Sequence, residues 1–217
     1  PPRSTLFPYP TLFRSVRRGL VLETRGMPVG RGRAPVPLGL NPAHGCFLGL
    51  DFEALRARVV VTDFSGELLF KKEHPFAAGI GREAVPEQIV ALALEAATHA
   101  QGRLLQVGIA APGQVDVHSG HILRYALLDD FCGVPLRERF QAHFDAPVFI
   151  EDNIRALTFA ELLRGAGREC NNFLCMAVRS GVGLGIVMNG ELYHGVNAMA
   201  GELGYAVFPW NGGVETL

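Results

Sequence analysis

Residues 16–41 of this 217-residue chain carry Arg17, Arg18, Arg25, Arg31 and Arg33 against a single acid, Glu23. A basic stretch with glycine and proline between the arginines suits contact with phosphates or a minor groove. On charge alone, a solvated linker explains it better. A second group that could do chemistry is Glu151-Asp152-Asn153, where an apolar run meets a helical pattern. Polar side chains at such a corner either cap the helix or face a ligand. A third is the run Gly181, Gly183 and Gly185. Glycines let backbone N–H groups come close to phosphate oxygens. Other chemistries find no support. The histidines at 44, 74, 99, 118, 121, 143 and 194 show no HExxH or paired spacing, and no two of Cys46, Cys132, Cys170 and Cys175 form C-x-x-C. Zinc ribbons and redox motifs are therefore not indicated, and reduced, mostly buried thiols are expected. Ser180, in VRSGV, lacks the G-x-S-x-G of a nucleophile elbow.

The elements that must position these groups are legible from Gly45 onward. With 48% hydrophobic and 19% charged residues and a net charge of −1, the chain can build a core and has no global field for nucleic acid or membrane. CFLGLDF, ARVVVTD and GELLFKKEHPF read as three strands in an antiparallel meander, with Ser65-Gly66 as a turn. Val85, Ile89, Leu92 and Ala96 fall on one face of a helix over residues 82–99. LLQVGIAAPG is a buried strand ending in a Pro-Gly loop. PLRERFQAHF is a helix opened by Pro135, APVFIED a strand, and IRALTFAELLRGAG a helix closed by glycine. NNFLCMAV, GLGIVMNG and GELYHG begin a second meander. No helical pattern follows it, so the chain is expected to stop inside a second lobe. Upstream, apolar runs near Leu20–Leu22 and Val36–Leu40 flank the basic stretch as a hairpin. Residues 1–15, with the near-repeat STLF/TLFRS, resemble translated sequencing-adapter read-through and are set aside. The alternative is a basic, aromatic arm. The start does not have the form of a signal peptide, being broken by Pro8 and Pro10, and no apolar run reaches the ~20 residues of a membrane span.

Strand–strand–strand–helix–strand with an acid closing the first strand is the ribonuclease-H-like plan of sugar kinases, actin and Hsp70. More specifically, VGIAAPGQVDVHSGHIL, APVFIEDNIRALTFAE, VRSGVGLGIVMNGELYHG and NAMAGELGY follow one another in an order that resembles the ROK (repressor/ORF/kinase) family. GRGRAPVPLGLNPAHG resembles the end of the wing that precedes this fold in ROK regulators and is lacking from ROK kinases. The resemblance implies a two-lobed α/β fold with its second lobe truncated. It implies four segments: an adapter-like 1–15, a winged-helix remnant over 16–43, a first lobe over 44–168, and the start of a second lobe over 169–217. Arg25, Arg31 and Arg33 are then candidates for DNA contact.

The same resemblance locates the chemistry. Where the family's first phosphate loop has D-x-G-G-T, this chain has Asp51-Phe52-Glu53-Ala54-Leu55, with both glycines lost and an added negative charge. The second loop keeps Ser180, Gly181 and Gly183, but Arg179 replaces its first glycine. Arg179 either pairs with an anion or marks loss of the nucleotide site. The position of the family's general base is Asn153, whose amide cannot accept the proton of a sugar hydroxyl. Asp152 is the fallback base. Asp152, Asn153, Glu202 and Tyr205 are the implied sugar contacts, with helix capping the alternative for Asp152 and Asn153. Tyr205 stands where the family has a zinc-ligating histidine, so no metal is expected. His194 is read as a turn or packing residue. These departures point to a cytoplasmic, sugar-responsive transcriptional regulator, acting as a repressor. It would bind a sugar or sugar phosphate without phosphorylating it, form a homo-oligomer, and meet DNA through a winged helix, with no cofactor and no membrane partner. An ATP- and magnesium-dependent hexose kinase is the alternative. A fragment of marginal stability without function of its own is a third possibility.

Overall fold

The computed structural model describes residues 14–23, 36–77, 79–81, 83–125, 127–128, 131–179 and 181–203, with the backbone alone at 207–210 and 213–216. Arg25, Arg31, Arg33, Ser180 and Tyr205 lie outside the described residues.

Two short strands, β1 (Val21–Glu23) and β2 (Leu38–Leu40), pair antiparallel with Val21 opposite Leu40. These are the flanks of the expected basic hairpin. Asn41 fixes the exit from β2: its Nδ2 donates to the Gly19 carbonyl at 2.7 Å, and its Oδ1 accepts from Ala43 N at 3.2 Å.

The main sheet follows. β3 (Cys46–Glu53), β4 (Arg56–Asp63) and β5 (Leu68–Pro75) form the predicted meander. β6 (Leu104–Ala111) returns parallel to β3, and β9 (Val148–Asp152) lies parallel to β6. Spatial order is β5-β4-β3-β6-β9. A small hairpin, β7 (Gln114–Asp116) with β8 (His121–Arg124), leaves the end of β6. Residue period two decides the faces. Cys46, Leu48, Leu50 and Phe52 of β3, Val59 and Val61 of β4, and Val107 and Ile109 of β6 all turn into one core. That core is covered by α1 (Ala84–Ala97) and α2 (Leu136–Gln141). The apolar face Val85, Ile89, Leu92, Ala96 is buried as its spacing predicts. Each fully buried aliphatic or aromatic side chain there contributes about 1.5–3 kcal/mol.

The second sheet is β10 (Phe173–Val178), β11 (Val182–Met188) and β12 (Glu191–Leu192), in that order and antiparallel. It rests on α3 (Asn153–Arg164), so one face of the second meander is covered by the helix that precedes it. A Cβ at Gly183 would collide with Ile154, and one at Gly185 with Thr158. These glycines permit close packing of sheet on helix, which is reason enough for their presence without any phosphate. The last two strands, β13 (Val207–Trp210) and β14 (Gly213–Thr216), pair with each other.

The expectation of mostly buried thiols is corrected. Only Cys46, on the inward face of β3, is buried. Cys132 and Cys170 sit on exposed loops, and Cys175 is half-buried. Among the described residues, no helix is long and apolar enough to cross a membrane.

Candidate functional site

In open α/β sheets, ligands bind beyond the carboxyl ends of the parallel strands. Here those ends belong to β3, β6 and β9, and a cavity of about 310 Å³ opens beside them. Its wall takes Glu53 from β3, Pro112 and Gly113 from the loop after β6, and Asp152 and Asn153 from the corner of β9 and α3. The far side is Arg179, Gly181 and Gly183 around the start of β11, with Ala200, Gly201 and Glu202 beyond it. The fold therefore brings Asp152, Asn153 and Glu202 together, as the sequence motifs require.

Asp152 serves two roles. Its Oδ1 accepts from Ile154 N at 3.0 Å and Arg155 N at 2.9 Å, which caps α3. Its Oδ2 has no protein hydrogen bond among the described residues. Asn153 is the first residue of α3 and makes no cap. The two readings left open for this corner thus separate: Asp152 is the cap, and both residues line the cavity. Burial pushes the Asp152 carboxyl above its ordinary range, against the pull of Arg155. Burial also raises Glu202, and the charge of Asp152 raises it further. Glu202 is positioned by Gly201, whose φ of +86° and contact with the Leu184 carbonyl leave no room for a Cβ.

Behind this pair lies a network that spacing alone did not reveal. Arg155, 2% exposed, donates from Nε to Glu151 Oε1 at 2.7 Å and from Nη1 to the Ala198 carbonyl at 2.9 Å. His194 Nε2 donates to Glu151 Oε2 at 2.8 Å. Burial acts to raise Glu151, but the hydrogen bonds from Arg155 and His194 outweigh it, so its carboxyl lies below the ordinary range. His194 is therefore more than a turn residue. With Ala198 it ties the segment carrying Glu202 to the β9–α3 corner.

The side of the cavity at Asp51 is closed by ion pairs. Asp51 faces Arg179 at 3.6 Å and Arg58 at 3.5 Å. Arg58 also meets Glu73 at 2.9 Å, and Arg56 joins Glu73 at 3.1 Å to Glu53 at 3.0 Å. The alternating charges thus run from the second glycine loop across β3 and β4 to β5. In addition, Ala54 N–H donates to the hydroxyl of Tyr125 at 3.1 Å. A backbone donor of the turn between β3 and β4 is thereby engaged. Tyr125 and Leu127 also line the cavity. Tyr125 lies 71 residues from Ala54, and no local pattern marks it.

No cluster of three or more histidine, cysteine or acidic residues able to hold a metal occurs among the described residues.

A family model described as "ROK family" matches residues 47–214, which takes in both sheets and the whole cavity wall. The chain belongs to the ROK family. Its relatives divide in name. The xylose repressor of Bacillus spizizenii is 26% identical over 200 residues, 91% of this chain and 51% of that protein. The glucokinase of Halalkalibacterium halodurans is 29% identical over 170 residues, 77% of this chain and 51% of that one. Among solved structures, a ROK family transcriptional regulator homologous to the Escherichia coli MLC protein superposes with a TM-score of 0.74. It is 24% identical and covers 91% of this chain and 50% of that one. The fold is thus the ribonuclease-H-like α/β fold of ROK proteins. The chain spans about half the length of the curated relatives it matches.

Proposed function

We propose that this ROK protein is a sugar-responsive transcriptional regulator, acting as a repressor, whose cavity binds a carbohydrate effector without phosphorylating it. The observation that carries the proposal is the self-occupied nucleotide side. Asp51 is engaged by Arg179 and Arg58, and the Ala54 N–H by Tyr125. Phosphoryl transfer relies on positioning and neutralising the phosphates, and here the groups at those positions neutralise one another. Asn153, at the position of the family's base, is a neutral amide. The reach of the relatives is consistent with this. The repressor alignment leaves too little of the chain uncovered to begin at β3, so it extends into the segment holding β1 and β2.

In this reading Asp152 and Glu202 accept hydrogen bonds from sugar hydroxyls. The segment from His194 to Glu202 closes on the ligand and biases a two-state arrangement of a homo-oligomer. DNA is met in the cytoplasm through a winged helix, to which β1 and β2 and the arginines 25, 31 and 33 contribute. No cofactor or metal is required. The test is binding of the full-length protein to its own upstream DNA, with and without sugar. Release by a sugar supports the proposal, and indifference to every sugar opposes it.

The kinase reading retains one favourable observation: Asp152, a carboxylate, lines the cavity. Sugar-dependent ATP hydrolysis lost in Asp152→Asn would establish it.

A further inference from the structure

The cavity wall contains three carboxylates, Glu53, Asp152 and Glu202, and a single cation among the described residues, Arg179. That guanidinium is not idle: Asp51 holds it from outside the wall at 3.6 Å. Three further guanidiniums behind the wall are likewise committed. Arg155 is buried against Glu151 and the Ala198 carbonyl, Arg56 faces Glu53 and Glu73, and Arg58 faces Asp51 and Glu73. With Glu53 paired to Arg56, the surplus negative charge of the cavity rests on Asp152 and Glu202, whose carboxyls burial raises.

We infer that the effector is an unphosphorylated, uncharged sugar, and that Asp51 enforces this choice by holding Arg179. The inference rests on the sugar-sensor reading above and narrows its effector, which that reading leaves open between a sugar and a sugar phosphate. A phosphate ester carries roughly −1.5 to −2 charges near neutral pH. Entering this cavity it would meet like charge from Asp152 and Glu202, and the one arginine among the described lining residues, Arg179, is already held by Asp51. Like charges brought together without water between them strongly disfavour the wrong partner. A neutral polyol has the opposite effect. Its hydroxyls donate to Asp152 Oδ2 and to Glu202, and Tyr125, Leu127 and Pro112 offer apolar surface to the C–H faces of its ring.

The experiment is a calorimetric titration of the full chain with matched pairs: glucose, mannose, xylose and N-acetylglucosamine, each against its terminal phosphate. The expected result is that a free sugar binds and its ester binds at least about tenfold more weakly. An ester that binds as well as its sugar, or better, overturns the inference while leaving the sensor reading intact. Silence from every sugar and ester overturns both. The charge-neutral variant Asp51→Asn then tests the device itself. Releasing Arg179 should move the ester-to-sugar affinity ratio about tenfold toward the ester. An unchanged ratio in a folded variant removes Asp51 from the selection.

Discussion

Arg179 and Asp51 lie 3.6 Å apart, one at the end of β10 and the other near the end of β3, and so join the two sheets across the mouth of the cleft. Each occupies a position where the family resemblance calls for phosphate chemistry, and each satisfies the other. Both side chains are about a third exposed, at 32% and 29%. Burial raises the Asp51 carboxyl more than Arg179 and Arg58 lower it. The pair therefore shapes the site far more than it stabilises the fold. Asp51→Asn is expected to change unfolding free energy by less than about 1 kcal/mol, as for other solvent-screened pairs. Urea denaturation measures this, and a loss several times larger contradicts it.

Arg155 is the opposite case. It is 2% exposed and bonded to both Glu151 and the Ala198 carbonyl. Arg155→Met leaves a half-buried carboxylate without its main partner, a loss of about 3–5 kcal/mol for buried pairs. Arg155→Lys should recover little of it, because one ammonium cannot reproduce the two-directional fork. Thermal unfolding of both variants checks the pair of statements.

Asp152 allows stability and binding to be separated. Asn caps helices about as well as Asp, so Asp152→Asn should keep the stability of α3 within a few tenths of a kcal/mol. Sugar affinity should nevertheless fall, by roughly tenfold for the loss of a charged acceptor. Asp152→Ala should lose both, with a cap cost of about 0.5–2 kcal/mol. Equal sugar affinity in wild type and Asp152→Asn would remove the carboxylate from the binding site.

Acid pH should act on two groups with opposite sign. Glu151 is lowered from its ordinary value of 4.5. It contributes stability that is present above that value and is lost as pH falls through the folded one. Asp152 and Glu202 are raised from 3.8 and 4.5. In the window above those values the folded state holds more protons than the unfolded, so their contribution to stability declines as pH rises. The ionised forms are the stronger acceptors of hydroxyl hydrogen bonds. Sugar affinity should therefore weaken on acidification before the fold does, which parallel titrations of Kd and Tm resolve. A constant Kd across that window contradicts it.

Periodicity located the strands and helices because the core is one-sided. Every second residue of β3 and β4 and one face of α1 are buried, and nothing longer in range is needed to see it. The corner at Asp152 was visible because the acid, the apolar strand and the helix are consecutive. Tyr125, His194 and the Ala198 carbonyl were not legible as partners, since each reaches the site from 43 or 71 residues away. Arg155 left a faint signal, its spacing of four from Glu151 on a helix start. The packing role of the β11 glycines was not legible, because the same residue type serves phosphate approach and close sheet–helix packing, and Ile154 and Thr158 lie on a separate element.

The most direct test of a sugar sensor without a working nucleotide site is the melting temperature of the full chain with a panel of sugars, each with and without Mg-ATP. Ligand binding to the folded state raises Tm, by about 2.7 kcal/mol of stabilisation at a hundredfold excess over Kd. The expected result is a shift with a sugar, unchanged by Mg-ATP and accompanied by no phosphorylated product. A Tm raised by Mg-ATP, with ADP formed in a sugar-dependent way, would contradict it and make the protein a kinase.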